Sequence, residues 1–132
     1  MRGAVAGVVA AAVWAAGEPV LKRVFRTPFS DVRLVGRFAT RGRAWPVAGL
    51  AIHLANGAAF GAAFEKAGLR GVRAGVATAQ IENLVLWPGM AVIDRIHPDR
   101  RNGTWPPLLA NRRVAAHALF GVVLGSLTRR RA

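Results

Sequence analysis

Four long stretches of the chain contain almost no charged residues, and arginine is concentrated in the segments that separate them. These stretches are 3–21, 44–64, 73–93 and 106–128. Each provides about the 20 mostly apolar residues with which an α-helix crosses the hydrocarbon core of a bilayer. The last reaches that length only if its first turns include Arg112 and Arg113, whose long side chains can extend to the membrane interface. The pattern predicts an all-α, polytopic membrane protein with four transmembrane helices.

The first stretch also has a second interpretation. Met1 and Arg2, followed by small apolar residues up to Ala16, are typical of a secretory signal peptide. The other three stretches would remain in the membrane after its removal. Both interpretations predict a multi-pass protein of the cell membrane.

The composition favours a membrane location over a nucleic-acid partner. The chain has 19 Lys and Arg against 6 Asp and Glu, for a net charge of +13, yet 53% of its residues are hydrophobic and its mean hydropathy is +0.30. A disordered basic tail lacks so many apolar residues, and a nucleic-acid-binding protein spreads its cations over one face of its elements. Here they lie in the connections, as in membrane proteins. The strong preference for Arg over Lys is typical of a bacterial genome with high GC content.

The distribution of Lys and Arg also predicts an orientation. With four helices, loops 22–43 and 94–113 lie on the same side of the membrane and carry 12 Lys and Arg, against 7 on the other side. Because cytoplasmic loops carry the excess of positive charge, both loops are predicted to be cytoplasmic. The run Arg129–Arg131 at the C-terminus opposes this orientation.

The two halves of the chain, 1–64 and 65–128, share a pattern that predicts an internal repeat. A glutamate precedes a histidine by 35 residues in each half: Glu18 and His53 in the first, Glu82 and His117 in the second. Two helices in each half would give two parallel two-helix repeats. Chance matching in a chain rich in Ala and Gly is the alternative.

Glycines spaced four residues apart recur on the predicted helices. An offset of 64 aligns Gly57 and Gly61 with Gly121 and Gly125, and Gly7 with Gly71. Two glycines one turn apart let two helix backbones approach closely, which is a main source of attraction between helices in lipid. We expect these glycines to pack helices together, either within one chain or in a homo-oligomer.

Four ionisable residues lie inside the predicted helices: Glu18, His53, Glu82 and His117, with Asn83 next to Glu82. A charged group at that depth costs about 2.5 kcal/mol or more, so each needs a partner or a neutralising proton. Three hypotheses remain open. The set fixes helix packing, or it binds a ligand, or it relays protons, ions or small solutes. A bound ligand could include a divalent metal or a haem held by His53 and His117, but the cofactor cannot be assigned.

The segment 29–41 places Arg33, Arg37 and Arg41 on one helical face. Such a face is typical of a helix that lies in the membrane interface and contacts the anionic headgroups of membrane lipids. An ordinary solvated loop is the alternative. His97, together with Asp94 and Asp99, is a further candidate for a surface metal site.

No motif of a known enzyme class occurs in the sequence, so we expect a non-enzymatic protein. The sequence predicts a small integral membrane protein whose buried Glu and His residues serve ion, proton or solute passage, or bind a ligand. The alternative is a structural or accessory membrane subunit in which these residues only fix helix packing.

Overall fold

The computed structural model describes residues 2–99 and 107–129, and within them the chain is all-α, with five helices and no strand. The helices are α1 (Gly3–Val24), α2 (Asp31–Ala39), α3 (Trp45–Lys66), α4 (Gly71–Ile96) and α5 (Pro107–Leu127). The prediction of an all-α fold is confirmed. The predicted start of the fourth stretch at Pro106, part of loop 94–113 and the end of the Arg129–Arg131 run lie outside the described residues.

The four long helices form two antiparallel pairs. The start of α1 contacts the end of α3, and the start of α4 contacts the end of α5. An interface between α1 and α5 joins the pairs, so the spatial order is α3, α1, α5, α4. In the described part of the chain, α3 and α4 share no extended interface. A cleft therefore opens between these two outer helices.

In both pairs, the two helices cross at positions where glycines of one helix lie against glycines of the other. A Cβ atom on Gly7 would overlap the carbonyl of Gly57, and one on Gly75 would overlap the carbonyl of Gly121. The structure places all four predicted packing glycines at such crossings within the chain: Gly57, Gly61, Gly121 and Gly125. A third crossing, between Gly36 of α2 and Gly49 of α3, was not predicted.

The two pairs are not related by a single offset. Gly7 meets Gly57 in the first pair, and Gly75 meets Gly121 in the second. The matching glycines Gly57 and Gly121 are 64 residues apart in the sequence, but Gly7 and Gly75 are 68 apart. The sequence alignment of Gly7 with Gly71 is therefore wrong by one helical turn. The internal repeat stays a prediction, and within it Trp14 corresponds to Glu82.

Large apolar side chains lie both inside and outside the fold. The core combines small residues such as Ala6 and Ala10 with larger ones such as Trp14 and Phe120, and the largest fully buried side chain among the described residues is that of Arg112. On the outside, Val47 is 76% exposed, and Leu84 and Val85 are 71% exposed.

Two helices, α1 and α3, are long and apolar enough to cross a membrane. Only 33% of the apolar window of α1 and 22% of that of α3 are buried in the fold, which leaves most of their apolar surface uncovered. The first of these helices, α1, packs against both α3 and α5 and supplies buried residues to the core.

Candidate functional site

The predicted polar residues separate into two groups. His53, Glu82 and His117 line a cavity of about 290 Å³. Glu18 instead interacts with the start of α2, and Asn83 is buried beside Arg113. The equal spacing of the two Glu–His pairs therefore does not produce equal contacts.

The cavity lies in the cleft between α3 and α4. Its walls are one face of each helix: His53, Asn56, Gly57 and Phe60 on α3, and Glu82, Leu86, Gly89 and Ile93 on α4. Trp14 of α1 and His117 and Phe120 of α5 form the floor, and Leu34 and Val35 of α2 line one end. The surface is mostly apolar, and Asp31 of α2 and Arg113 of α5 also line it.

Glu82 of α4 and His117 of α5 form a close polar pair. Oε2 of Glu82 lies 3.1 Å from Nε2 of His117, and Nδ1 of His117 lies 2.7 Å from the carbonyl oxygen of Arg113. Since a carbonyl only accepts, Nδ1 carries a hydrogen. His117 is buried, whereas the Glu82 side chain is 39% exposed and forms the accessible end of the pair.

The indole of Trp14 contacts both cavity histidines. Its ring centroid is 5.4 Å from that of His53 and 4.7 Å from that of His117, both edge to face. Nε2 of His53 donates to the carbonyl of Ala11 at 3.1 Å, so Nδ1 is the ring nitrogen left for another partner. Sequence reasoning missed Trp14; a lone aromatic residue in a run of Ala and Val was its only signal.

Glu18 anchors α2 to the long helices. Its carboxylate accepts from the Ser30 hydroxyl at 2.7 Å and from the backbone N–H of Asp31 at 2.6 Å. The first N–H groups of a helix lack partners and attract a negative charge. Ser30 also caps α2 by accepting from the N–H of Arg33. Glu18 thus holds the helix start against α1.

Arg112 of α5 joins Glu18 and Asp31 in a buried cluster of charged residues. Its guanidinium donates to Asp31 at 3.0 Å and to Glu18 at 3.4 Å, and lies 4.7 Å from the ring centroid of Phe29. Arg113, next to it, donates to Asn83 at 3.0 Å and lies over Trp87. The expectation that the two arginines extend to the membrane interface is wrong, because both are buried and paired inside the fold.

The geometry does not fit a metal or haem between His53 and His117. Both rings pack edge to face against Trp14, and both nitrogens of His117 have a polar partner within 3.1 Å. Within the described residues, no three His, Cys, Asp or Glu side chains form a group that could hold a metal ion.

The surface site suggested around His97 is also not formed. Nε2 of this ring donates to the carbonyl of Leu34 at 3.0 Å, while Nδ1 accepts from the N–H of Asp99 at 3.0 Å. Asp99 pairs with arginines of α2, and the side chain of Asp94 lies outside the described part of the structure. Both ring nitrogens are therefore occupied.

Comparisons with known proteins leave the cavity as the main basis for a functional assignment. No family model matches the chain, and no curated protein and no solved structure matches it.

Proposed function

We propose that this protein spans the membrane four times, through α1, α3, α4 and α5, and binds a small, largely apolar molecule between α3 and α4. The observation that carries this proposal is the Glu82–His117 pair on the floor of a mostly apolar cavity. The molecule would carry one polar group that hydrogen-bonds to this pair. The proposal describes binding without catalysis.

The direction in which side chains point supports membrane insertion of α4 and α5. Both helices contain ionisable residues, but Arg112, Arg113 and His117 are at most 5% exposed. Ile81, Leu84 and Val85 point outward, with exposures of 59%, 71% and 71%. Ionisable residues inside a membrane are expected to be paired and to face the bundle interior. The end that carries α2 would face the cytoplasm, following the excess of positive charge.

The size and lining of the cavity support a small ligand with a polar end. About 290 Å³ is close to the lower limit of ligand-binding cavities, which is about 300 Å³. Phe60, Phe120 and Leu86 offer apolar contacts. Nδ1 of His53 and the accessible carboxyl of Glu82 offer hydrogen bonds.

Binding of a ligand is better supported than passage of ions, protons or solutes through the protein. The cavity opens between α3 and α4, toward the position of the lipid in the proposed arrangement, so a ligand could enter from the bilayer without a second opening. The alternative function is that of a structural subunit, in which the polar residues only fix helix packing. The Glu18–Arg112 contact fits that role, whereas the partly exposed Glu82 does not.

Photo-crosslinking of the full chain in phosphatidylcholine nanodiscs tests the proposal. The probe is a diazirine analogue of decan-1-ol, and the labelled positions are mapped by mass spectrometry. The proposal expects labelling of cavity residues, including Glu82, that unlabelled decan-1-ol suppresses. Labelling spread over exposed apolar residues such as Leu84, without competition, would favour the structural subunit.

A cavity-filling variant provides the matched control. A Cβ atom added at Gly89, on the cavity wall, meets no atom within 4 Å, so the start of a larger side chain is accommodated, and we expect Gly89→Leu to fill the cavity and keep the fold. Val85→Leu enlarges an outward-facing residue on the same helix. We expect Gly89→Leu to lose the competable labelling and Val85→Leu to keep it. Equal labelling of both variants would contradict binding in the cavity.

A further inference from the structure

We infer that a second site, beside α2, binds a phosphate group. It is a cleft of about 430 Å³ between α2 and the segment after α4, lined by Arg33, Arg37, Arg41, Pro98 and Asp99. It is distinct from the cavity between α3 and α4, and its chemistry does not depend on a ligand there.

The indole of Trp45 orients two of the arginines. The guanidinium carbons of Arg33 and Arg37 lie 5.9 Å and 5.1 Å from its ring centroid. Nη1 of Arg37 donates to the carbonyl of Arg41 at 2.9 Å, which ties the end of α2 to the following loop. Because these contacts hold the guanidinium groups before any ligand arrives, little additional ordering is needed to bind an anion.

Asp99 does not satisfy the donors in the cleft. Its Oδ2 atom accepts from Nε of Arg33 at 2.6 Å and lies 2.5 Å from Nη2. The distance from Oδ2 to Nε of Arg37 is 3.9 Å, too long for a hydrogen bond, and that buried Nε has no partner in the described part of the chain. A buried donor without an acceptor is costly, so an oxygen anion in the cleft is favourable.

The charge balance also favours an anion with several oxygens. Three arginines face one carboxylate, and Arg41 pairs with no carboxylate among the described residues. Guanidinium groups bind phosphate through paired N–H donors, and three of them around one cleft suit its several oxygens. The phosphate can belong to a lipid headgroup at the membrane surface or be free in solution. The chemistry of recognition is the same.

Binding to the detergent-purified chain distinguishes these sources. The probes are inorganic phosphate, dihexanoyl phosphatidic acid and, as a control without phosphate, dihexanoylglycerol. Binding of both phosphate probes, with tighter binding of the phosphatidic acid, identifies a lipid headgroup site. Equal binding of both identifies a site for the phosphate group itself. Absence of binding by either, or equal binding of dihexanoylglycerol, would overturn the inference.

Charge-matched variants locate the site. Arg41 and Arg43 are both exposed in the same loop, but only Arg41 lines the cleft. Arg37→Gln and Arg41→Gln should each weaken phosphate binding about tenfold, the loss expected for one charge-assisted hydrogen bond. Arg43→Gln should change it less than twofold. Equal losses in all three would mean nonspecific attraction and would contradict the site.

Two further measurements keep the result interpretable. The circular dichroism and thermal midpoint of each variant check that it folds. Gly89→Leu, which fills the other cavity, should bind phosphate as the unmodified chain does. Phosphate binding beside α2 and ligand binding in the cavity between α3 and α4 can therefore be refuted independently.

Discussion

Trp14 of α1 and Glu82 of α4 hold equivalent places in the two helix pairs, each facing the histidine of its partner helix. The ring of Trp14 lies 5.4 Å from that of His53, whereas the carboxylate of Glu82 lies 3.1 Å from Nε2 of His117. The indole of Trp14 contacts both histidines, but among the described residues only His117 also has a carboxylate within 4 Å, so the polar chemistry of the cavity is asymmetric. We expect binding to depend more on Glu82 and His117 than on His53.

The close contact between Glu82 and His117 predicts different effects for two substitutions of the glutamate. Glu82→Gln retains a group that can donate to or accept from Nε2, so it should lower the free energy of unfolding by less than about 1 kcal/mol. Glu82→Ala leaves the buried ring without that partner and should cost about 1–3 kcal/mol. Unfolding in a mixed-micelle denaturant series measures both. Equal losses would mean that the contact contributes little to stability.

Arg112 is predicted to be the most sensitive residue at the α2 end of the fold. Arg112→Met would leave Glu18 and Asp31 without their shared cation, and breaking a buried ion pair costs about 3–5 kcal/mol. Combining it with Glu18→Gln and Asp31→Asn should recover part of the loss, because the uncompensated charges are then removed. The thermal midpoints of the purified variants test this expectation.

The control for this prediction is Arg95→Met, which makes the same change at an exposed position near the end of α4. It should leave the midpoint within about 1 °C of that of the unmodified chain, since surface substitutions change stability little. If Arg112→Met were as mild as Arg95→Met, the buried cluster would not be what holds α2 in place.

The sequence predicted the long helices because low charge and small, apolar side chains extend over whole segments. For the segment 29–41, the spacing of Arg33, Arg37 and Arg41 indicated a helix but left a solvated loop as the alternative. The helix α2 forms, and it ends at Ala39, before Arg41. The partners of Glu18 and Arg112 were not predictable, because they depend on how α2 lies across helices distant in the sequence. A shift of one turn between the helix pairs is likewise invisible in residue spacings.

The glycine crossings predict opposite outcomes at two positions of α1. A Cβ atom on Gly7 would overlap the carbonyl of Gly57, so Gly7→Ala should force the helices apart and cost about 1–3 kcal/mol. At Gly17 the nearest atom, Cδ2 of Leu119, would lie 3.4 Å away, an ordinary contact. Gly17→Ala should be neutral or should stabilise the helix by up to about 1 kcal/mol. Thermal unfolding of both variants is the measurement, and a loss at Gly17 equal to that at Gly7 would contradict close packing at the crossing.

Single-cysteine labelling distinguishes four membrane spans from two. The natural chain contains no cysteine, so Arg43→Cys, Arg70→Cys and Arg95→Cys each introduce one reactive thiol at an exposed position. If α4 crosses the membrane, Arg95→Cys reacts with an impermeant maleimide on the same side as Arg43→Cys and opposite Arg70→Cys. If only α1 and α3 cross, it reacts on the side of Arg70→Cys. Following the excess of positive charge, Arg43→Cys and Arg95→Cys should react only after the cells are permeabilised, and Arg70→Cys should react in intact cells.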